Sequence, residues 1–130
     1  MQIDITNRPG NSAARVSLDA GETITAEGGA MIAMSGNVSV ETTTQKRDSG
    51  SILGALKRMV TGESFFLNHF TPSGEGGEVY FGTVMAGDMM EYQLDGPGLL
   101  VQGGSYVASA PSVNMDIQWQ GFGKALFSGE

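Results

Sequence analysis

One histidine, His69, and no cysteine occur in the 130 residues, and these two counts decide most of the chemistry open to the chain. A serine–histidine triad would have to use His69. Ser64, in Gly62-Glu-Ser64-Phe-Phe, and Ser105, in Gly103-Gly-Ser105-Tyr-Val, lack the second glycine of a nucleophile elbow and run into strand-like sequence. A metal centre on a cupin-type barrel needs paired histidines with a carboxylate, and thiolate zinc or iron–sulfur sites need cysteine. The carboxylates of Glu75-Gly-Gly-Glu78 and Asp95-Gly-Pro-Gly are too sparse for a calcium loop and read as turns. The glycine pairs 28–29 and 103–104 precede strands rather than a helix, so they read as bulges or tight turns and not as phosphate cradles. No catalytic residue, metal ligand or cofactor site is expected. His69 shares a strand face with Leu67 and Phe65, and the expectation is a half-buried ring bonded to a loop carbonyl.

Binding is the chemistry left. Lys46, Arg47, Lys57 and Arg58 are four of the seven basic residues and fall within Gln45–Val60. In that segment Ile52, Leu53, Leu56, Met59 and Val60 follow helical spacing, with Ser49 or Ser51 placed to cap, which predicts one short helix near 51–60. The four cations are candidate contacts for a protein partner or an anionic membrane surface, at about 1 kcal/mol each at best. The packed stripe alone equally explains the segment as a plug over one end of the fold, its charges solvated, and that simpler account is favoured. The net charge of −7 argues against unaided binding to nucleic acid.

The elements that must carry these residues are strands. Hydrophobic residues make up 40% and charged residues 16%, a globular composition, and 20 glycines separate short apolar runs. Val113, Met115, Ile117 and Trp119 alternate with polar residues at a period of two. Residues 2–6, 15–18, 22–26, 38–44, 64–70, 79–81 and 89–94 read as strands too. Met31, Met34, Met85, Met89, Met90 and Met115 are expected to fill core gaps, with one of Met89 and Met90 exposed. The N-terminal MQIDITNRPG is not a signal peptide, and no apolar run approaches the roughly 20 residues that span a bilayer, so a cytoplasmic protein is expected.

The strand pattern repeats itself. LDAGETITAEGGAMIAMSGNVSVETT, from Leu18, aligns with LDGPGLLVQGGSYVASAPSVNMDIQW, from Leu94, with one deletion before the glycine pair. From there on Gly28 matches Gly103, Ala33 matches Ala108, Val38 matches Val113 and Glu41 matches Asp116, each pair 75 positions apart. An internal duplication is expected, with a first repeat over about 1–91 and an incomplete second over about 92–130. The alternation at Val113–Trp119 then maps a buried face onto Val38, Val40, Thr42 and Thr44. Thr61-Gly62-Glu63 launches SFFLNHF in the first repeat, whereas Ser128-Gly129-Glu130 ends the sequence. Either the chain is part of a longer protein or another chain supplies the missing strand.

TGESFFLNHF, then GEVYFGTVMAGDMMEYQLDGPGLLVQGGSYVAS, then GFGKALFSGE resemble the bacterial relatives of the mitochondrial biogenesis ("altered inheritance of mitochondria") family, in the superfamily of the tryptophan RNA-binding attenuation protein. The resemblance spans nearly the whole chain. It implies an all-β sandwich, jelly-roll-like and built by duplication, often assembled into homo-oligomers, with the chain corresponding to an N-terminal portion of a protein about twice as long. It supplies no catalytic residues to carry over. The mitochondrial branch is associated with inner-membrane organisation, which implies a scaffold that is cytoplasmic or peripheral to the inner membrane. Three functions follow as expectations: a non-enzymatic scaffold or interaction module first, a small-ligand-binding domain with a pocket between repeats or protomers second, and an enzyme of unrecognised type third.

Overall fold

The computed structural model describes residues 1–44, 66–102 and 104–115. Among them the chain forms eight strands: β1 (Gln2–Thr6), β2 (Ala13–Leu18), β3 (Ile24–Glu27), β4 (Met31–Met34), β5 (Val38–Thr44), β6 (Phe66–Pro72), β7 (Gly77–Gly82) and β8 (Ala108–Ser109). No helix occurs among the described residues, and the helix expected near 51–60 lies outside them. The strands make two antiparallel sheets, ordered β1-β2-β7-β4 and β5-β6-β3-β8. The fold is all-β, with both sheets closing on one core, as the sequence pattern implies.

Alternation explains which side chains enter that core. In β2 the even positions Ala14, Val16 and Leu18 are buried while Arg15 is exposed, and in β7 Val79 and Phe81 point inward between Glu78, Tyr80 and Gly82. β6 supplies Phe70, and β3 supplies Ile24 and Ala26. The rings of Phe70 and Phe81 meet edge to face with centroids 5.4 Å apart, one from each sheet and both fully buried.

The chain repeatedly crosses from one sheet to the other, and the crossings are tight. Between β6 and β7 a Cβ on Gly76 would stand 2.6 Å from the Leu18 carbonyl oxygen. The Asn37 side-chain amide donates to the carbonyls of Glu75 and Gly76, at 3.3 and 3.1 Å, holding this turn against the one that precedes β5. Of the Glu75–Glu78 stretch that composition suggested as a turn, Glu75 and Gly76 lie in the turn, whereas Gly77 and Glu78 open β7 and pair with β2. The glycine pair 28–29 joins β3 to β4: Gly28 N–H donates to the Phe66 carbonyl at 2.8 Å, and a Cβ there would press on Phe66 at 3.2 Å.

Several expectations are corrected. Residues 89–94 are not a strand: no described strand pairs with them, and Met89 alone is buried, beside the turn that anchors it. Val113 to Met115 are likewise outside any strand, and the rest of that alternating run lies outside the described residues. Of the face proposed for β5, Val38 is buried but Val40 and Thr42 are exposed, although Val40 pairs with the buried Phe70. Met31, Met34, Met85 and Met90 are exposed rather than core, leaving Met89 as the buried methionine of the set.

Phe81→Ala is expected to lower the unfolding free energy by about 3–5 kcal/mol, the usual cost of emptying a buried phenylalanine site. Phe81→Leu should cost less. Urea denaturation followed by tryptophan-independent circular dichroism checks both.

Candidate functional site

The residues with chemistry gather on the outer face of the second sheet. Its strand register places Ser109, Thr25, His69 and Glu41 in one row across β8, β3, β6 and β5. Odd positions of β6 lie on the side of the sheet opposite Phe70, so His69, half-buried, shares its face with the buried Leu67. Thr25 is buried, and its Oγ1 lies 2.9 Å from His69 Nδ1, while Thr43 Oγ1 lies 2.8 Å from His69 Nε2. The partners are therefore two hydroxyls on the flanking strands, not the loop carbonyl expected. A hydroxyl can donate or accept, so the pair satisfies either neutral tautomer of the ring. The Tyr106 hydroxyl donates to the Thr25 carbonyl at 3.1 Å and lies 3.0 Å from Ser109 Oγ, and burial holds its phenol above the usual range.

This arrangement stitches four strands together and gives both ring nitrogens of His69 a hydroxyl partner. Among the described residues there is no group of three histidine or carboxylate side chains able to hold a metal ion, and no buried side-chain nitrogen or oxygen without a partner. Lys46, Arg47, Lys57 and Arg58, the candidate contacts read from the sequence, lie outside the described residues.

A second polar cluster explains a motif whose role was not legible. In Ala86-Gly87-Asp88 the carboxylate of Asp88 accepts two bonds from the Arg8 guanidinium, both at 2.9 Å. It also accepts from Ser12 Oγ at 2.7 Å and from the Met89 N–H at 2.9 Å, and Ser12 N–H donates to the Gly87 carbonyl. The donors, Arg8 first, hold the Asp88 carboxyl far below the ordinary carboxylate range. The cluster ties the β1–β2 turn to the segment after β7. A third, Arg15 with Glu78 and Tyr80, spans β2 and β7, and its hydrogen bonds lower the Glu78 carboxyl.

Two antiparallel sheets packed on one core define an all-β sandwich. The chain belongs to the family described as mitochondrial biogenesis AIM24, whose profile matches residues 3–130. It is also similar to an uncharacterised protein of Streptococcus pyogenes serotype M6, with 27% identity over 118 residues covering 88% of this chain. The chain spans 47% of that relative's length. No solved structure matches. Among the described residues no helix is long and apolar enough to cross a membrane.

His69→Ala is expected to cost about 1–2 kcal/mol, because the buried Thr25 hydroxyl loses its partner; a Thr25→Val, His69→Leu pair should cost less than the sum of its singles. Asp88 supplies a pH test. A carboxyl lowered in the folded state stabilises fully above its unfolded value, 3.8, and that stability drains away as pH falls below it toward the folded value. Asp88→Asn should therefore lower the melting temperature at pH 7 and flatten the acid limb of a thermal-melt series.

Proposed function

We propose that this chain is a non-enzymatic interaction module that works as a homo-oligomeric scaffold. The observation that carries the reading is a run of large apolar side chains left in solvent after β7: Val84 is 85% exposed and Met85 80%, with Met90 and Tyr92 also exposed. A chain with a net charge of −7 that still exposes such a run is suited to burying it against another protein surface. The polar clusters support the reading from the other side, since their donors and acceptors are spent on holding strands together. Placement in the tryptophan RNA-binding attenuation protein superfamily, with its oligomeric sandwiches, belongs to the same proposal, as does a cytoplasmic or inner-membrane-peripheral location. RNA or tryptophan binding does not, because the charge opposes the first and no matching ligand motif supports the second.

The basic residues Lys46, Arg47, Lys57 and Arg58 are proposed as contacts to a partner or an anionic membrane surface. Sedimentation velocity is expected to give an assembly larger than the 13.6 kDa chain. Val84→Lys with Met85→Lys should reduce it to the monomer, and a monomeric parent protein would discard the scaffold. Vesicles containing anionic phospholipid should pellet the parent protein, and removal of the four cations should abolish that; unchanged pelleting removes the membrane contact.

A further inference from the structure

Asp95-Gly96 is the one place in the 130 residues where an aspartate or asparagine precedes a glycine. That order has a chemistry of its own. The side-chain carboxyl of the first residue and the backbone nitrogen of the second can close a five-membered ring. A side chain on the second residue crowds the nitrogen, and glycine has none. Ring closure also needs freedom: the aspartate must turn until its Cγ faces the nitrogen. A residue fixed in a ladder, or one whose carboxylate is already hydrogen-bonded, must first give up those bonds.

The fold withholds this freedom from the other described aspartates. Asp4 lies within β1, opposite Arg15, and is followed by the β-branched Ile5. Asp19, which aligns with Asp95 in the two matching stretches, is followed by Ala20. Its N–H donates to Glu22 Oε2 at 2.8 Å, and its carbonyl accepts from the Glu22 N–H at 3.0 Å. The Asp88 carboxylate is held by Arg8, Ser12 and the Met89 N–H, and that last nitrogen is the one that would have to attack.

Nothing comparable holds residue 95. Asp95 and Gly96 are exposed, lie outside every described strand, and stand where the chain bends into Pro97. Among the described residues no hydrogen bond or ion pair engages the Asp95 carboxylate, and none takes up the Gly96 N–H. A Cβ built on Gly96 would meet nothing within 4 Å. We infer that Asp95 is a modification site, at which succinimide forms spontaneously and opens to isoaspartate. The Gly96 nitrogen bonds to Asp95 Cγ, and the carboxylic hydroxyl leaves with the amide proton as water. Water then reopens the ring. Breaking the bond from nitrogen to Cγ restores aspartate. Breaking the bond from nitrogen to the Asp95 carbonyl carbon gives isoaspartate, with the chain running through Cβ. Nothing is oxidised or reduced, and the net composition is unchanged. The product lengthens the backbone by one methylene and frees an α-carboxylate, a group that repair methyltransferases using S-adenosylmethionine esterify.

The test incubates the intact chain at neutral pH in water enriched in heavy oxygen, then maps its peptides by mass spectrometry. Isoaspartate is counted by enzymatic methyl transfer. Label and methyl-accepting groups should accumulate at Asp95 and not at Asp4, Asp19 or Asp88. A synthetic peptide of residues 90–100 gives the unhindered rate, and the chain should match it within about threefold. Gly96→Ala should slow the gain by at least about tenfold. Asp95→Glu should abolish it, because the longer side chain closes a less favoured six-membered ring. A chain rate below the peptide's range, labelling shared equally with the other aspartates, or indifference to Gly96→Ala would overturn the assignment. The map and the peptide comparison use the parent chain alone, so a poorly folded variant does not decide the matter.

Discussion

The two sheets are held together at the contact between Phe70 and Phe81. Each ring comes from the middle of its strand order, β6 beside β3 and β5, β7 beside β2 and β4. Around them, Val16, Ile24 and Val79 are the other largest fully buried side chains among the described residues. As the aromatic contact between the sheets, the edge-to-face pair sets the separation that the crossing turns must match. The close approaches at Gly28 and Gly76 are consequences: the chain must change sheets where the sheets are already near.

Polar residues do a complementary job at the periphery. The hydrophobic contact is non-directional and fixes distance, whereas the row Ser109–Thr25–His69–Glu41 and the Arg8–Asp88–Ser12 cluster fix register. A slip of one residue in β6 would remove His69 from both threonines and turn Phe70 outward. His69 therefore contributes to specificity of pairing through its ability to accept and to donate.

Much of this was legible from residue types, and the failures have physical reasons. Alternation located β2 and β7 well, since both bury one face, and the glycine turns fell where composition put them. β4 was missed because Met-Ile-Ala-Met carries no polar alternation; it is an exposed edge whose register shifts by a bulge at Ile32. Residues 89–94 had strand-like composition without a partner, and a ladder requires one. The partners of His69 lie 44 and 26 positions away, so only the pairing of β3 and β5 with β6 could reveal them. Asp88 carried a faint signal, an acid following a turn, but its cation sits near the other end of the described chain.

That distance has a consequence for how the fold is reached. The Arg8–Asp88 contact joins residues 80 positions apart, while β1–β2 and β5–β6 pair neighbours in strand order. Closing so large a loop is entropically unfavourable until intervening strands have already drawn the ends together. The clasp thus belongs to the last stage of assembly: it latches a sandwich whose strands are in place, and its opening is the natural first step of the reverse path.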